Sequence, residues 1–111
     1  TYSYTIGATS AQSLMWITGW CATTQAILDD NNKNTTYTFS MNSKPVDITQ
    51  FAVLEGKQGT QFCKLYMASI SNWSKGDTKL ETKVTFANKI NDGTADYPAG
   101  THSYLYTVTA P

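Results

Sequence analysis

The aromatic residues Trp16 and Trp20 carry the clearest chemical signal in this sequence. They lie four residues apart in the stretch 14–21, which is apolar on both of its alternating sides. On a β-strand this spacing puts both indole rings on one face, about 13 Å apart at about 3.3 Å per residue. Phe62 and Tyr66 repeat the spacing on a second predicted strand. Such a row can stack against the apolar C–H faces of sugar rings, while the abundant amides and hydroxyls can bond sugar hydroxyls.

Two other interpretations of the aromatic row remain open. Protein–protein interfaces favour Trp and Tyr, so the row could form the contact of a homodimer. A second layer of the fold could also cover it, and the tryptophans would then belong to the core. Because a disulfide-bonded cysteine is usually internal, Cys21 is expected to point inward with Met15 and Ile17. Trp16 and Trp20 would then face outward.

Groups that could perform catalysis or hold a metal are sparse. The only histidine is His102, and its neighbours Thr101 and Ser103 point to the opposite side of a strand, so no nucleophile–base pair is evident. No pair of carboxylates is marked as desolvated. The oxygen-rich loops 29–32 and 91–96 could hold calcium, but neither matches the twelve-residue calcium loop, and Asx turns explain both. We expect no enzymatic activity, no cofactor and no metal site.

The charge pattern excludes other partner classes. The chain has eight Lys, no Arg and eight acidic residues, which gives a formal net charge of zero. A nucleic-acid-binding protein would normally carry a basic stripe, and none is visible. The sequence contains no run of about 20 apolar residues, which is the length that a membrane-spanning helix needs. Charged residues make up only 14% of the chain, and its Thr-, Ser-, Asn- and Tyr-rich composition is common in secreted β-proteins. We therefore expect an extracellular protein, and the first residue, Thr1, fits an exported chain after processing.

The sequence contains an even pair of cysteines. In an oxidising compartment Cys21 and Cys63 should form a disulfide. Closing a loop of about 43 residues would stabilise the fold by about 4 kcal/mol in the chain-entropy formula. Two free buried thiols are the alternative. Two glycosylation sequons begin at Asn34 and Asn72, both in predicted turns or loops, where a modified Asn must lie.

The periodicity of apolar residues predicts an all-β fold. Strands are predicted at residues 1–6, 13–21, 23–28, 35–41, 60–70, 79–90 and 101–109. The polar block 29–34 reads as a hairpin loop. Residues 42–56 suit either a strand or a short capped helix near 47–55, and the surrounding strands favour the strand. Seven or eight strands at spacings of about 8–12 residues predict a small antiparallel β-sandwich that forms one domain over residues 1–111.

The last predicted strand bears a local resemblance to known modules. Residues 98–110 begin with Pro-Ala-Gly-Thr and continue with alternating Tyr and Val, which resembles a strand of fibronectin type III and other immunoglobulin-like modules. Standard immunoglobulin domains place the core Trp between their two Cys. Here Trp16 and Trp20 precede Cys21, and Trp73 follows Cys63. The resemblance implies a related sandwich architecture but not a standard immunoglobulin domain.

Together these features predict a secreted binding protein without enzymatic activity. The leading hypothesis is lectin-like recognition of a glycan or cell surface, with Trp16, Trp20, Phe62 and Tyr66 as the ligand-binding residues. The alternative is a protein–protein interaction module, such as a homodimeric immunomodulatory or defence protein, an inhibitor or an adhesin domain.

Overall fold

Strand β7 (Gly76–Phe86) forms the centre of the larger of two sheets in the computed structural model, which describes residues 1–111. Its inward residues Leu80, Val84 and Phe86 are buried. Lys79 and Lys83 alternate with them and are exposed, as the sequence pattern predicts. The other strands of this sheet are β1 (Tyr2–Gly7), β3 (Thr35–Met41), β4 (Lys44–Val46) and β10 (Gly100–Ala110). They lie in the order β1–β10–β7–β3–β4, with β1 parallel to β10 and the remaining pairs antiparallel.

The smaller sheet has three antiparallel strands. These are β2 (Leu14–Ala22), β5 (Ala52–Gln58) and β6 (Gln61–Ile70), in the order β2–β6–β5. A separate two-stranded hairpin consists of β8 (Ile90–Asn91) and β9 (Asp96–Tyr97). The two open sheets pack face to face and confirm the predicted β-sandwich. The one departure from the predicted antiparallel arrangement is the parallel pairing of β1 with β10.

The segment after β2 is a helix, so the predicted strand at 23–28 and the hairpin loop at 29–34 are wrong. Helix α1 spans Gln25–Lys33. It begins because Thr24 caps it, with the Thr24 hydroxyl accepting a hydrogen bond from the Ile27 amide at 3.2 Å. Leu28 fixes it to the body of the protein through a fully buried side chain. No helix of the protein is long and apolar enough to cross a membrane.

The ambiguous segment 42–56 is mainly strand. Residues 48–50 form one turn of 3-10 helix, which Asp47 caps by accepting a hydrogen bond from the Thr49 amide at 2.9 Å. Phe51 then turns into the core, and β5 begins at Ala52. The strand favoured for this region is confirmed, and the short helix near 47–55 is reduced to that single turn.

The two sheets overlap only in part. The Trp16 indole of β2 donates a hydrogen bond to the Thr82 hydroxyl of β7 at 2.9 Å, so β2 lies over β7. The ring of Tyr66 on β6 lies 5.2 Å from the ring of Tyr37 on β3, so β6 lies over β3. Since β2 is the edge of the smaller sheet, the next two strands of the larger sheet, β10 and β1, extend beyond it with no strand facing them.

Candidate binding groove

The two faces of β2 are the reverse of those predicted. Trp16 is only 4% exposed, whereas Met15 is 55% exposed and Ile17 is 48% exposed. The prediction assumed that a disulfide must point into the core. Instead Cys21 and Cys63 face each other on neighbouring strands of one sheet, and their disulfide lies on the outer face with Met15 and Ile17. The indole, with far more apolar area to bury, takes the interior.

The four predicted aromatic residues share one face, but it is the inner one. The register pairs Thr18 with Tyr66 and Ala22 with Phe62, which puts these side chains on the face of Trp16 and Trp20. Trp16 packs edge-on against Phe39 and Phe51, with ring centroids about 5.5 and 5.3 Å away. Tyr66 packs on Tyr37. Trp16 is buried, and Trp20 and Tyr66 are half-buried against the core. Phe62 is half-buried outside both core clusters, with the Lys57 ammonium 5.9 Å from its ring centroid, so the row does not form a continuous exposed surface.

Trp20 is the member of this row that reaches the open side of the sandwich. Its ring meets Phe86 at 5.2 Å and Tyr97 at 4.8 Å, both in edge-to-face geometry. Its indole nitrogen Nε1 is buried and has no hydrogen-bond partner. A buried donor without an acceptor costs about 1–3 kcal/mol, so this unpaired N–H is unusual.

A groove runs along this open side, between the overhanging strands β10 and β1 and the edge of β2. Its upper part is a cleft of about 460 Å³ with a largely aromatic wall formed by Trp20, Phe86, Tyr97, His102, Tyr104 and Tyr2. Its lower part, about 150 Å³, is lined only by aliphatic and aromatic residues and Met15, and the lining includes Ile6, Leu14, Trp73 and Val108. The two parts meet at Ile17 and Tyr106. We refer to the whole as the β1–β2 groove.

Paired tyrosines form the floor of the groove. Because β1 is parallel to β10, Tyr2 lies beside Tyr104 and Tyr4 lies beside Tyr106. The rings stack face to face with centroids 5.3 and 5.4 Å apart. Burial, followed by the neighbouring tyrosines, raises the pKa of Tyr104 and Tyr106 above the usual tyrosine value. A tyrosine hydroxyl is already protonated at neutral pH, and the raised pKa extends to higher pH the range in which both hydroxyls can donate hydrogen bonds.

The β8–β9 hairpin closes one end of the groove. The Thr23 amide donates to the Asp92 carbonyl oxygen at 2.9 Å, which ties the hairpin to the end of β2. The buried Asp92 carboxylate accepts hydrogen bonds from the Thr94 and Ala95 amides at 2.8 and 2.9 Å and from the Tyr97 hydroxyl at 3.2 Å. Burial alone would raise the pKa of Asp92, but these hydrogen bonds hold it below its usual value. The hairpin therefore keeps its shape through an ionised Asp92.

Trp73 closes the other end. Its indole Nε1 donates to the Gln12 carbonyl oxygen at 2.9 Å, and its amide donates to the Ser10 carbonyl oxygen at 3.1 Å. These bonds join the loop between β6 and β7 to the loop between β1 and β2. The groove is thus bounded at both ends and open along its side.

No family model, curated protein or solved structure matches this chain.

The sequence contains a signal for the groove tyrosines that the prediction of site residues did not use. Tyr2, Tyr4 and Ile6 alternate with small polar residues in the first strand, and Tyr104, Tyr106 and Val108 do the same in the last. The two patterns match because the strands are parallel neighbours and share an inner face. Adjacency of the first and last strands cannot be derived from either pattern alone.

Groups for catalysis or metal binding are not brought together. The His102 imidazole makes no hydrogen bond and lies against Phe86, with ring centroids 5.6 Å apart. The neighbouring Thr101 hydroxyl bonds the Thr85 hydroxyl at 2.9 Å on the outer face. No group of three His, Cys, Asp or Glu side chains is placed to hold a metal ion.

The two sequons differ in their surroundings. Asn34 ends helix α1, and its side-chain amide donates to the Asp30 carbonyl oxygen at 3.2 Å and accepts from Asn88 at 3.0 Å. Asn72 is exposed in the loop between β6 and β7, with a φ of 58°. Modification of either residue stays a prediction, and Asn72 is the one whose side chain is free to accept a glycan.

Proposed function

We propose that this chain is a non-enzymatic protein-interaction module that binds a polypeptide in the β1–β2 groove. The observation that carries the proposal is the exposure of an uncharged apolar groove on one side of the sandwich. Tyr2, Tyr4, Ile6, Met15 and Ile17 are between 39% and 55% exposed and border it. None of the lysines or acidic residues lines either part. Contiguous exposed apolar surface in a small domain marks interaction sites.

The shape of the aromatic surface favours a polypeptide over a sugar. A sugar ring stacks on an exposed flat aromatic face, but Trp16 is buried and Trp20 is held edge-on between two other rings. In the tyrosine pairs each ring covers one face of its neighbour. The aliphatic side chains of Met15 and Ile17 at the rim suit apolar protein side chains rather than hydroxyl-rich ligands.

Glycan recognition is the second candidate, and one observation favours it. The upper cleft has a volume within the range of about 300–1,000 Å³ typical of small-molecule sites. Its wall carries the hydroxyls of Thr18, Tyr97 and Tyr104. A polyhydroxylated ligand could accept from and donate to such groups.

The Cys21–Cys63 disulfide supports placing this module outside the cell. Structural disulfides persist in oxidising compartments and are rare in the cytosol. The two sequons are consistent with passage through a secretory pathway.

Selection on the folded protein tests the choice of ligand. A random peptide library displayed on phage and a glycan array would be probed in parallel with three proteins: wild type, Tyr4→Lys and Thr5→Lys. Tyr4 stacks on Tyr106, which lines both parts of the groove, whereas Thr5 is exposed on the opposite face of β1 and is the matched control for the added charge.

Enriched peptides that bind wild type and Thr5→Lys but not Tyr4→Lys would support the proposal. Glycans that bind wild type and Thr5→Lys but not Tyr4→Lys would instead support glycan recognition in the groove. Ligands that bind Tyr4→Lys as tightly as wild type would contradict the assignment of the groove as the binding site.

A further inference from the structure

The orientation of the β2 backbone can be read from its disulfide. In antiparallel sheets, facing residues that exchange hydrogen bonds have Cα atoms about 5.5 Å apart, and those that do not are about 4.5 Å apart. The Cα atoms of Cys21 and Cys63 are 4.1 Å apart, so this pair does not exchange hydrogen bonds. The backbone N–H and C=O of Cys21 therefore point away from β6. By alternation, so do those of Gly19, Ile17 and Met15.

An independent contact agrees with this assignment. Thr23 continues the same alternation, and its N–H donates sideways to the Asp92 carbonyl oxygen of the hairpin. Below that contact, the outward N–H and C=O groups from Met15 to Cys21 take part in no hydrogen bond. They form an unpaired row about 20 Å long at about 3.3 Å per residue. Unpaired strand edges of this kind are templates for another strand.

The space beside this edge fits one more strand. A strand added next to β2 would lie over β10 and β1, which no strand covers. A second copy cannot fill the position by pairing its own β2 about a two-fold axis perpendicular to the sheet. In that arrangement the overhanging β10 and β1 of each copy would occupy the space of the other copy's larger sheet. An extended segment with no sheet beneath it meets no such obstacle.

The lining defines the chemistry of that segment. β2 has no charged residue, and both parts of the groove lack Lys, Asp and Glu. One set of alternate side chains on the added strand would pack onto Tyr104 and Tyr106. The other set would extend the apolar outer face of Met15 and Ile17. An uncharged strand complements this site, whereas a charged one would lose hydration without gaining a partner.

We infer that the partner polypeptide binds by β-strand addition: an extended, uncharged segment with predominantly apolar side chains inserts into the groove and pairs with β2 through Met15, Ile17, Gly19 and Cys21. This inference rests on the proposed function and specifies how it is carried out. The backbone groups of β2 supply the affinity, and the tyrosine floor selects the side chains of the segment.

The experiment uses the folded, disulfide-bonded protein and a short synthetic peptide of alternating Val and Thr with a Lys at each end. Two further peptides carry N-methyl groups on one or the other set of alternate residues, which removes the donors along one edge only. Strand addition predicts that one of the two methylated peptides binds about tenfold or more weakly, because it loses several backbone hydrogen bonds. The amide signals of Ile17 and Gly19 should shift in NMR spectra when the unmodified peptide binds.

A proline variant tests the protein side of the same contact. Ile17→Pro removes an N–H that points into the groove and leaves the ladder to β6 intact. The matched control is Val53→Pro on β5, where the same alternation points the N–H to the opposite outer edge; Val53 and Ile17 are similarly exposed, at 52% and 48%. Ile17→Pro should weaken binding about tenfold, whereas Val53→Pro should leave it unchanged.

Three results would overturn the inference: no binding of the alternating peptide, equal binding of all three peptides, or amide shifts in β1 without shifts in β2. Some peptides from the library selection could lose binding to Tyr4→Lys but keep their affinity when they are N-methylated. That result would exclude strand addition while supporting the groove as a protein-binding site. If Ile17→Pro does not fold, the methylated peptides still decide the question with the unmodified protein.

Discussion

The two lateral sides of this sandwich are built differently. On one side, the larger sheet ends in β4 and the smaller sheet ends in β5. The β4 strand has three residues, two of which are Lys44 and Pro45, and β5 carries Glu55 and Lys57. Between the sheets, Phe51 is buried and stacks on Phe39 with ring centroids 4.1 Å apart. Short length, Pro and charge are the devices that keep edge strands from pairing with other chains.

The other side, between β1 and β2, has none of these devices. Its strands have six and nine residues, with no Lys, Asp, Glu or Pro in either. No side chain comparable to Phe51 fills the middle of the gap, although Trp73 and the β8–β9 hairpin close its ends. One side therefore carries the features that prevent strand pairing and the other does not, which supports the proposal that a partner polypeptide covers the open side.

The largest expected effect tests which face of β2 belongs to the core. Trp16→Ala should lower the free energy of unfolding by about 3–5 kcal/mol, since it removes a buried indole and its hydrogen bond to Thr82. Met15→Ala, one residue away but 55% exposed, should change it by less than about 0.5 kcal/mol. Urea denaturation of both variants measures the difference. Comparable losses in the two would mean that the outer face of β2 is covered as well.

The disulfide gives the next largest effect. Replacing Cys21 and Cys63 together by Ala should destabilise the protein by about 4 kcal/mol in the loop-closure model. The disulfide joins edge strand β2 to β6, whereas edge strand β5 has no such link. Native-state hydrogen exchange should therefore show that amides of the β2–β6 ladder lose more protection than amides of the β5–β6 ladder. Equal losses would show that the disulfide stabilises the smaller sheet as a whole.

Sequence patterns predicted those parts of the fold whose residues alternate strictly between apolar and polar. In β7, Leu80 and Val84 alternate with Lys79 and Lys83, and only one burial pattern is consistent with that order. In β2 both sides are apolar, so alternation could not say which side is inside. Assigning Cys21 to the inner face was wrong, because a disulfide between facing residues of one sheet can lie on its outer face, even though Cys63 itself is only 3% exposed. The volumes of the indoles were the better guide.

Helix α1 and the groove show two further limits. The helix is rich in Asp and Asn, which have low helix propensity, and Thr24 was the local sign of its start. The groove depends on how far two sheets overlap, which is a property of the strand order. Tyr2 and Tyr104 are about a hundred residues apart in sequence, and only the parallel pairing of β1 with β10 brings them together.

Acidification should loosen one end of the open side selectively. The folded-state pKa of Asp92 is depressed, so its contribution to stability is present above its ordinary pKa of 3.8 and is lost as the pH falls through the folded value. Below that range the β8–β9 hairpin should loosen and Trp20 should lose its contact with Tyr97. Tryptophan fluorescence followed from pH 6 to pH 2 should show this change in wild type. In Asp92→Ala it should already be present at pH 6, and an identical profile in both proteins would exclude Asp92 as its cause.

The smallest effect on stability tests the difference between the edges most directly. Ile17 and Leu54 are both about half exposed on the outer face of the smaller sheet, one on β2 and the other on β5. Changing either residue to Lys should alter the free energy of unfolding by less than about 0.5 kcal/mol, because neither side chain lies in the core.

Ile17→Lys adds charge to an edge that has none, so it should slow aggregation during mild heating, as measured by light scattering. Leu54→Lys adds charge to an edge that already carries Glu55 and Lys57, so it should have little effect. Equal protection by both variants would show that the apolar outer face drives self-association, whereas protection by Ile17→Lys alone would assign that tendency to the unpaired edge of β2.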